Sequence, residues 1–375
     1  SAMEAERWLA DARLKLSRLI GAGHSSSIAF CCSGTHALNA AIQGLIREGQ
    51  HVITTQIEHN SVLRPLSQLV GRRGIEVDFV RSDRCGVACV EQAQQLLRPD
   101  TRWLVVGHAS NVTGAIQDIK SWSSLARRVD AHLIVDVSQT IGYLPIDVVQ
   151  LGIDVLAAAG HKGLGGISGS GFLYARPELQ SDFEPLMTGG TGLRSDSLES
   201  QNIWPQVIEV GNHNLPGIVS LAVAADELLR EAQKSPASWQ TDWRSVIKRL
   251  VSGLRDIHGV ALVGYPEATG QESAVLHSAA GLTTDSNRLN NSIDRVPLVS
   301  IHVDGWDVHD LASALDCNYG IEARAGFHCA ASIHQAIDSQ ASGGTLRLSP
   351  GHGTSEEEID LVLAALKELA QEPPI

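Results

Sequence analysis

The chain has 375 residues, enough for one large domain and a smaller one. Its 29 Lys+Arg against 42 Asp+Glu give a net charge of −13, which argues against a general nucleic-acid or anionic-membrane surface. No apolar run reaches the roughly 18 residues of a membrane span, and the charged amphipathic start does not read as a signal peptide.

Along the chain, Trp8, Leu9, Ala12, Leu16, Leu19 and Ile20 form one stripe and predict a helix over 4–20. Strand and helix patterns then alternate. Strands are expected at 28–32, 51–55, 77–80, 103–106, 132–136, 155–159 and 171–174, with helices at 36–48, from Ser61, and at about 121–129. This alternation predicts a mostly parallel sheet with helices on both faces and ligands beyond the carboxyl ends of its strands. Past residue 217 the pattern changes: a helix at 217–232, a polar linker at 233–242, helices at 242–256, 307–316 and 355–370, and strands near 260–263, 298–303, 321–324 and 345–348. A large α/β domain over 1–232 and a smaller α+β domain over 233–375 are therefore expected, with Thr269–Arg295 as an exposed polar excursion.

The six cysteines are Cys31, Cys32, Cys85, Cys89, Cys317 and Cys329. In a chain this long they do not form a disulfide framework, and they suit a reducing cytoplasm. Cys85 and Cys89 have the spacing of half a metal site with no matching second half, so no metal is expected. Cys31 and Cys32 read as small core residues beneath a strand end.

Three features carry chemistry. Cys32-Ser33-Gly34-Thr35-His36 joins a strand to a helix start, where backbone N–H groups, the Thr35 hydroxyl and the helix dipole would hold a phosphate. An ordinary N-cap has the same pattern. Asp136 ends the apolar run Leu133-Ile134-Val135, where its carboxylate would face the ligand crevice and pair with a protonated pyridine nitrogen; a loop-capping Asp is the plainer account. Lys162 follows the strand at 155–159 among Gly160, Gly163, Gly165 and Gly166, a setting that lets the backbone approach a flat ligand. Alone it is a solvated loop lysine. A phosphate cup, a strand-end Asp and a strand-end Lys in this order are what a pyridoxal-phosphate (PLP) site requires, because a desolvated lysine forms Schiff bases. Asn111 would then meet the ring oxygen or the substrate, and His59 would stack on the ring.

In these segments the chain resembles the class V (fold type I) PLP-dependent aminotransferase superfamily, and within it the group II cysteine desulfurase and selenocysteine lyase branch. The resemblance is carried by Ser33–Asn39, Glu58–Val62, Ser110–Gly114, Asp136–Thr140, Gly160–Gly163 and Arg324–Ala330. It implies a fold type I architecture with a large mostly parallel α/β domain and a smaller C-terminal α+β domain. It also implies roles. Gly34, Thr35 and His161 would hold the phosphate, Gln139 the phenolic oxygen, and Lys162 the cofactor itself. His59 would assist proton transfer, and Arg347 would clamp the substrate carboxylate through its guanidinium fork. Cys329 would take sulfur from L-cysteine as a persulfide, with Arg324 and His328 lowering its thiol pKa. The resemblance further implies a homodimer and a sulfur-acceptor protein as partners. The sequence departs from the pattern in three ways. Ala159 replaces a hydroxyl that helps hold phosphate. Asn212 stands where a Thr would reach the partner subunit's phosphate. The match begins at the first helix, where family chains usually carry a preceding stretch. Another class V reaction (epimerase, β-lyase or aminotransferase) and a cofactor-less scaffold are the alternatives.

Overall fold

The computed structural model describes residues 2–190, 203–234, 238–265 and 295–372. The elements run α1 (Ala2–Leu19), β1 (Ile28–Cys31), α2 (Gly34–Leu45), β2 (His51–Thr55), α3 (Asn60–Arg73), β3 (Glu76–Val80), α4 (Val90–Leu96) and β4 (Thr101–Gly107). They continue with α5 (Ile119–Arg128), β5 (His132–Asp136), α6 (Val148–Leu151), β6 (Val155–Ala159), β7 (Gly171–Ala175) and α7 (Leu215–Lys234). The remainder comprises α8 (Ser238–Arg255), β8 (Val260–Val263), β9 (Val299–Val303), α9 (Val308–Tyr319), β10 (Arg324–Gly326), α10 (Ile333–Ala336), β11 (Thr345–Leu348) and α11 (Glu356–Gln371).

The first sheet has seven strands in the order β1-β7-β6-β5-β4-β2-β3. Only β7 opposes its neighbours; the ladders from β3 through β6 are parallel. Parallel strands are buried on both faces, which is why β4, β5 and β6 are apolar without polar alternation. Their side chains still alternate between two cores. Leu104, Val106, Leu133, Val135 and Leu156 pack with Ala12 and Leu16 of α1, Trp122 of α5 and Leu221 of α7. Trp103, Val105, Ile134 and Val155 pack on the opposite face with Leu38 and Ile42 of α2 and Leu66 of α3. The second sheet is antiparallel, in the order β10-β11-β9-β8, and its core joins Ile247 and Leu250 of α8, Leu311 of α9 and Leu366 of α11. Both architectures agree with the expected fold class. Among the described residues no helix is long and apolar enough to cross a membrane.

Several local expectations are corrected. The helix expected at 36–48 begins at Gly34, because the Ser33 side chain caps it by accepting from His36 N at 3.1 Å. The linker expected at 233–242 is helical from Ser238, and 235–237 lie outside the described residues. The strand expected at 321–324 lies at 324–326, where pairing with β11 fixes it. The excursion at 269–295 lies outside the described residues except Arg295. That residue is buried, not exposed; its guanidinium donates to Thr113 O at 2.6 Å and lies over the Tyr265 ring. Cys31 is buried as expected, but Cys32 is exposed, with Sγ 3.6 Å from His36 Nδ1.

The loop after β6 is held from outside. His352 Nε2 donates to Gly163 O at 3.1 Å, and Tyr143 stacks on the His352 ring with centroids 4.6 Å apart. Gly142 has φ +92°, and a Cβ there would collide with the Gly163 carbonyl. Gly142→Ala is therefore expected to cost about 3 kcal/mol or more in urea unfolding, from left-handed strain plus overpacking against backbone. Gly71 is an exposed position in α3 with nothing within 4 Å of an added Cβ. Gly71→Ala should gain about 0.5–1 kcal/mol by helix propensity alone. Equal effects at the two positions would contradict this account.

Candidate active site

β4, β5 and β6 end side by side, with Gly107 opposite Asp136 and Asp136 opposite Ala157. Beyond those ends lies a cleft of ≈ 230 Å³ lined by Gly34, Thr35, Glu58, His59, Asn111, Asp136, Ser138, Gln139, Ala159, His161, Lys162 and Arg324. The carboxyl edge of a parallel sheet is where such a crevice is expected.

One end of the cleft is built to hold an anion. The start of α2 presents free N–H groups beside the exposed Thr35. A Cβ at Gly34 would stand 2.8 Å from Ser138 Oγ and 3.1 Å from Ala159 Cβ, so only glycine lets the helix start sit this close to the strand ends. Ser138 Oγ accepts from Ala159 N at 3.1 Å. The hydroxyl absent at Ala159 is thus supplied beside it by Ser138.

His59 caps α3: its Nδ1 accepts from Ser61 N at 3.0 Å and lies 2.8 Å from Ser61 Oγ, which is itself 2.8 Å from Thr35 Oγ1. An accepting Nδ1 puts the ring proton on Nε2. Burial lowers the His59 pKa; Lys162, Arg324 and Arg64 push the same way and Asp136 opposes them. The ring is therefore neutral and fixed in orientation. Asp136 Oδ1 accepts from Ser138 N at 2.9 Å, leaving the carboxylate's other oxygen for the cleft. The turn after Lys162 is closed by Gly165 N donating to Lys162 O at 2.8 Å. The Lys162 side chain is open to solvent at the mouth of the cleft but crowded by protein behind it. That burial lowers its pKa; Asp136 and Cys329 oppose the shift, while Arg347 and Arg324 add to it. A larger neutral fraction of the amine suits attack on a carbonyl.

Two guanidiniums stand at the edge of the cleft. Arg324 and Arg347 are directly paired across β10 and β11, and among the described residues neither joins a salt bridge. Arg347 Nη1 donates to Asn111 O at 2.9 Å and Nε to Ser349 Oγ at 3.0 Å. Burial, then the neighbouring Arg324, pushes its pKa down to about 10. Unpaired guanidiniums side by side call for an anion.

Cys329 is exposed, with Sγ accepting from Arg324 Nη2 at 3.2 Å. The expected help from His328 is corrected. Its ring is buried, with Nε2 3.0 Å from Thr345 O and 2.8 Å from Thr345 Oγ1, while Nδ1 has no partner among the described residues. Burial and then Arg347 push its pKa down to about 3, so it stays neutral and lends the thiol no charge. Arg324 alone of the two offers a cation. Asn111 departs from expectation in a different way, since one N–H of its amide is committed to His328 O at 2.7 Å, leaving the other for the cleft. Asn212 is exposed and does not line this cleft.

The donor set fits PLP. Helix-start amides and hydroxyls meet a phosphate, a carboxylate meets a pyridine nitrogen, a flat imidazole meets the ring face, and an amine of lowered pKa meets an aldehyde. Sequence reading missed three contributors. Ser61 and Ser138 are short polar residues whose roles appear only in three dimensions. Glu58 looks like a helix-start acid yet is buried, accepting from Thr55 Oγ1 at 2.6 Å and Gly107 N at 3.0 Å. Burial pushes its carboxyl up to about 8; those two hydrogen bonds pull it down and Asp136 pushes it further up. The folded chain thus holds a proton between pH 4.5 and about 8 that the unfolded chain has released. Stability therefore falls as pH rises through that window. Glu58→Gln carries no such penalty. From pH 5 to 8 its urea midpoint should gain on the parent by an amount worth on the order of a few kcal/mol. A constant difference would contradict a protonated Glu58.

Known proteins resemble this chain over nearly its whole length. Residues 1–286 and 282–362 match the family model described as Aminotransferase class-V. A probable cysteine desulfurase of Methanothermobacter thermautotrophicus is 31% identical over 373 residues, covering 98% of this chain and 85% of that protein. The cysteine desulfurase IscS of Methanosarcina thermophila is 29% identical over 375 residues, covering 96% and 80%. The apo structure of a cysteine desulfurase from Thermococcus onnurineus superposes with a TM-score of 0.82 at 26% identity, covering 98% of this chain and 85% of that one. The chain belongs to the PLP-dependent class V aminotransferase family, in its cysteine desulfurase branch.

Proposed function

We propose that this chain is a cysteine desulfurase that converts L-cysteine to L-alanine and takes the sulfur onto Cys329. The observation that carries the reading is an exposed cysteine held 3.2 Å from the Arg324 guanidinium, beside a cleft with a lysine of lowered pKa. An epimerase or aminotransferase needs no thiol there.

Lys162 would hold the cofactor covalently, with Asp136 at the ring nitrogen, His59 on the ring face, Gln139 at the phenolic oxygen, and Gly34, Thr35, Ser138 and His161 around the phosphate. When bound, PLP supplies an electron sink that weakens the substrate's Cα–H bond. Arg347 and the free N–H of Asn111 would take the substrate carboxylate and turn Cα toward Lys162 Nζ. Lys162 would accept the Cα proton and return it to Cα after the sulfur has left, with the neutral His59 assisting proton transfer. Arg324 would stabilise the Cys329 thiolate. That thiolate attacks the substrate sulfur: an S–S bond forms, the Cβ–S bond breaks, and its electron pair returns to Cβ, which is protonated. Alanine leaves and Cys329 keeps a persulfide, so sulfur is transferred with no external oxidant. The exposure of Cys329 suits delivery to a sulfur-acceptor protein, and selenocysteine would follow the same course.

The chain is read as a homodimer in the cytoplasm, with domains over 1–232 and 233–375. Asn212, exposed and outside its own chain's cleft, suits a reach to the phosphate of the partner subunit, its amide donating where a hydroxyl otherwise would.

Three variants test the proposal. Lys162→Ala should lose the visible absorption band of the bound cofactor; an unaltered band would remove Lys162 as the anchor. Cys329→Ala should retain that band but release alanine and sulfide from L-cysteine at least ~100-fold more slowly. Undiminished turnover would contradict the persulfide route, and racemised cysteine or keto acid formed without sulfur release would favour the other class V reactions. Arg347→Ala should raise KM by roughly 10–100-fold, the worth of a lost charge-assisted pair, with a smaller change in kcat.

A further inference from the structure

Cys329 does not sit on a relaxed loop. His328 has φ +52° and Cys329 φ +60°, two consecutive non-glycine residues in the left-handed region. L-residues adopt that conformation singly and at a cost, so a pair of them persists only where the surroundings over-determine it. Side chains anchor the turn where the His328 ring meets Thr345 and where His334 Nε2 donates to Phe327 O at 3.2 Å, and three further bonds hold the backbone of residues 328–330. Ala330 N donates to Phe327 O at 2.9 Å and closes the turn, Asn60 N at the start of α3 donates to Cys329 O at 2.7 Å, and Asn111 Nδ2 donates to His328 O at 2.7 Å. The first two are backbone bonds. The third comes from the one side chain that also belongs to the substrate cleft.

Asn111 is itself well placed to act as a fixed point. It is buried at 6% exposure in the loop after β4, and its carbonyl accepts from Arg347 Nη1 at 2.9 Å. Through its carbonyl it holds the side chain of one guanidinium, and through its amide it holds the turn whose thiol lies 3.2 Å from the other.

We propose that Asn111 is the positioning residue for Cys329: its amide pins the left-handed turn through His328 O and so keeps the thiol against Arg324, in addition to any contact it makes with substrate. Without that bond His328 and Cys329 relax toward the right-handed region, and Sγ leaves the Arg324 guanidinium. The idea rests on reading Cys329 as the sulfur-accepting group, but its test needs neither cysteine nor turnover, so the two can fail separately.

The test is the alkylation rate of Cys329 by iodoacetamide at neutral pH, in substrate-free holoenzyme, followed peptide by peptide. Cys317 is also exposed and serves as a reference thiol in the same chain. Asn111→Ala should slow alkylation of Cys329 by at least ~3-fold while leaving Cys317 unchanged. Asn111→Ser, shorter and uncharged, should do the same if the alanine variant does not fold. An unchanged or faster rate at Cys329, with only KM for L-cysteine raised, would show that Asn111 touches substrate alone and would overturn the proposal.

Discussion

The parallel pairing of β4, β5 and β6 is what everything else in the cleft depends on. With Gly107, Asp136 and Ala157 in one register, three loops leave the sheet from a single edge. Those loops carry Asn111, then Ser138 and Gln139, then His161 and Lys162. A slip of one residue in either ladder would turn Asp136 to the other face of the sheet and away from the cleft. The two apolar cores on either face hold the register, because each strand buries alternate side chains against different helices. Packing and chemistry are therefore linked through one set of backbone hydrogen bonds.

The electrostatic character of the cleft follows from which groups burial keeps uncharged. His328 is pushed down to about 3 and Glu58 up to about 8, in each case chiefly by burial. Both are predominantly uncharged at neutral pH. What remains is the Asp136 carboxylate with Lys162 and the guanidiniums of Arg324 and Arg347, neither of which joins a salt bridge among the described residues. An excess of positive charge at the mouth of a crevice suits ligands that are anionic at both ends, a phosphate on the cofactor and a carboxylate on the substrate. Burial lowers the Lys162 pKa, and the Arg347 and Arg324 guanidiniums push it the same way against Asp136.

Much of this was legible in the sequence, and the limits have physical causes. Strand-end polar residues after apolar runs announce themselves, so Asp136, Lys162 and the Ser33-Gly34-Thr35 turn were all placed at one edge. The ordered set of segments then added roles that no single residue would support. What the sequence did not disclose were relations at long separation. Asn111 and His328 are 217 positions apart, and nothing at either position signals the bond between them. Glu58 is hidden for another reason: its burial depends on a neighbouring strand, so a helix-start acid and a protonated floor residue look alike. His328 precedes Cys329 in sequence, yet the fold turns its ring inward against Thr345 and away from any charged role. Cys32 is the opposite case: it follows the buried Cys31 but is exposed where the chain leaves the strand end.

The chemistry at Cys329 is decided by where the sulfur goes. One turnover of the holoenzyme with isotopically labelled L-cysteine, quenched and resolved by peptide mass spectrometry, reads this directly. The peptide carrying Cys329 is expected to gain the mass of one labelled sulfur atom in a form removed by a reducing thiol, with the other cysteine peptides unmodified. Labelled sulfur released to solution with no label on Cys329, or label carried on a different cysteine, would contradict it.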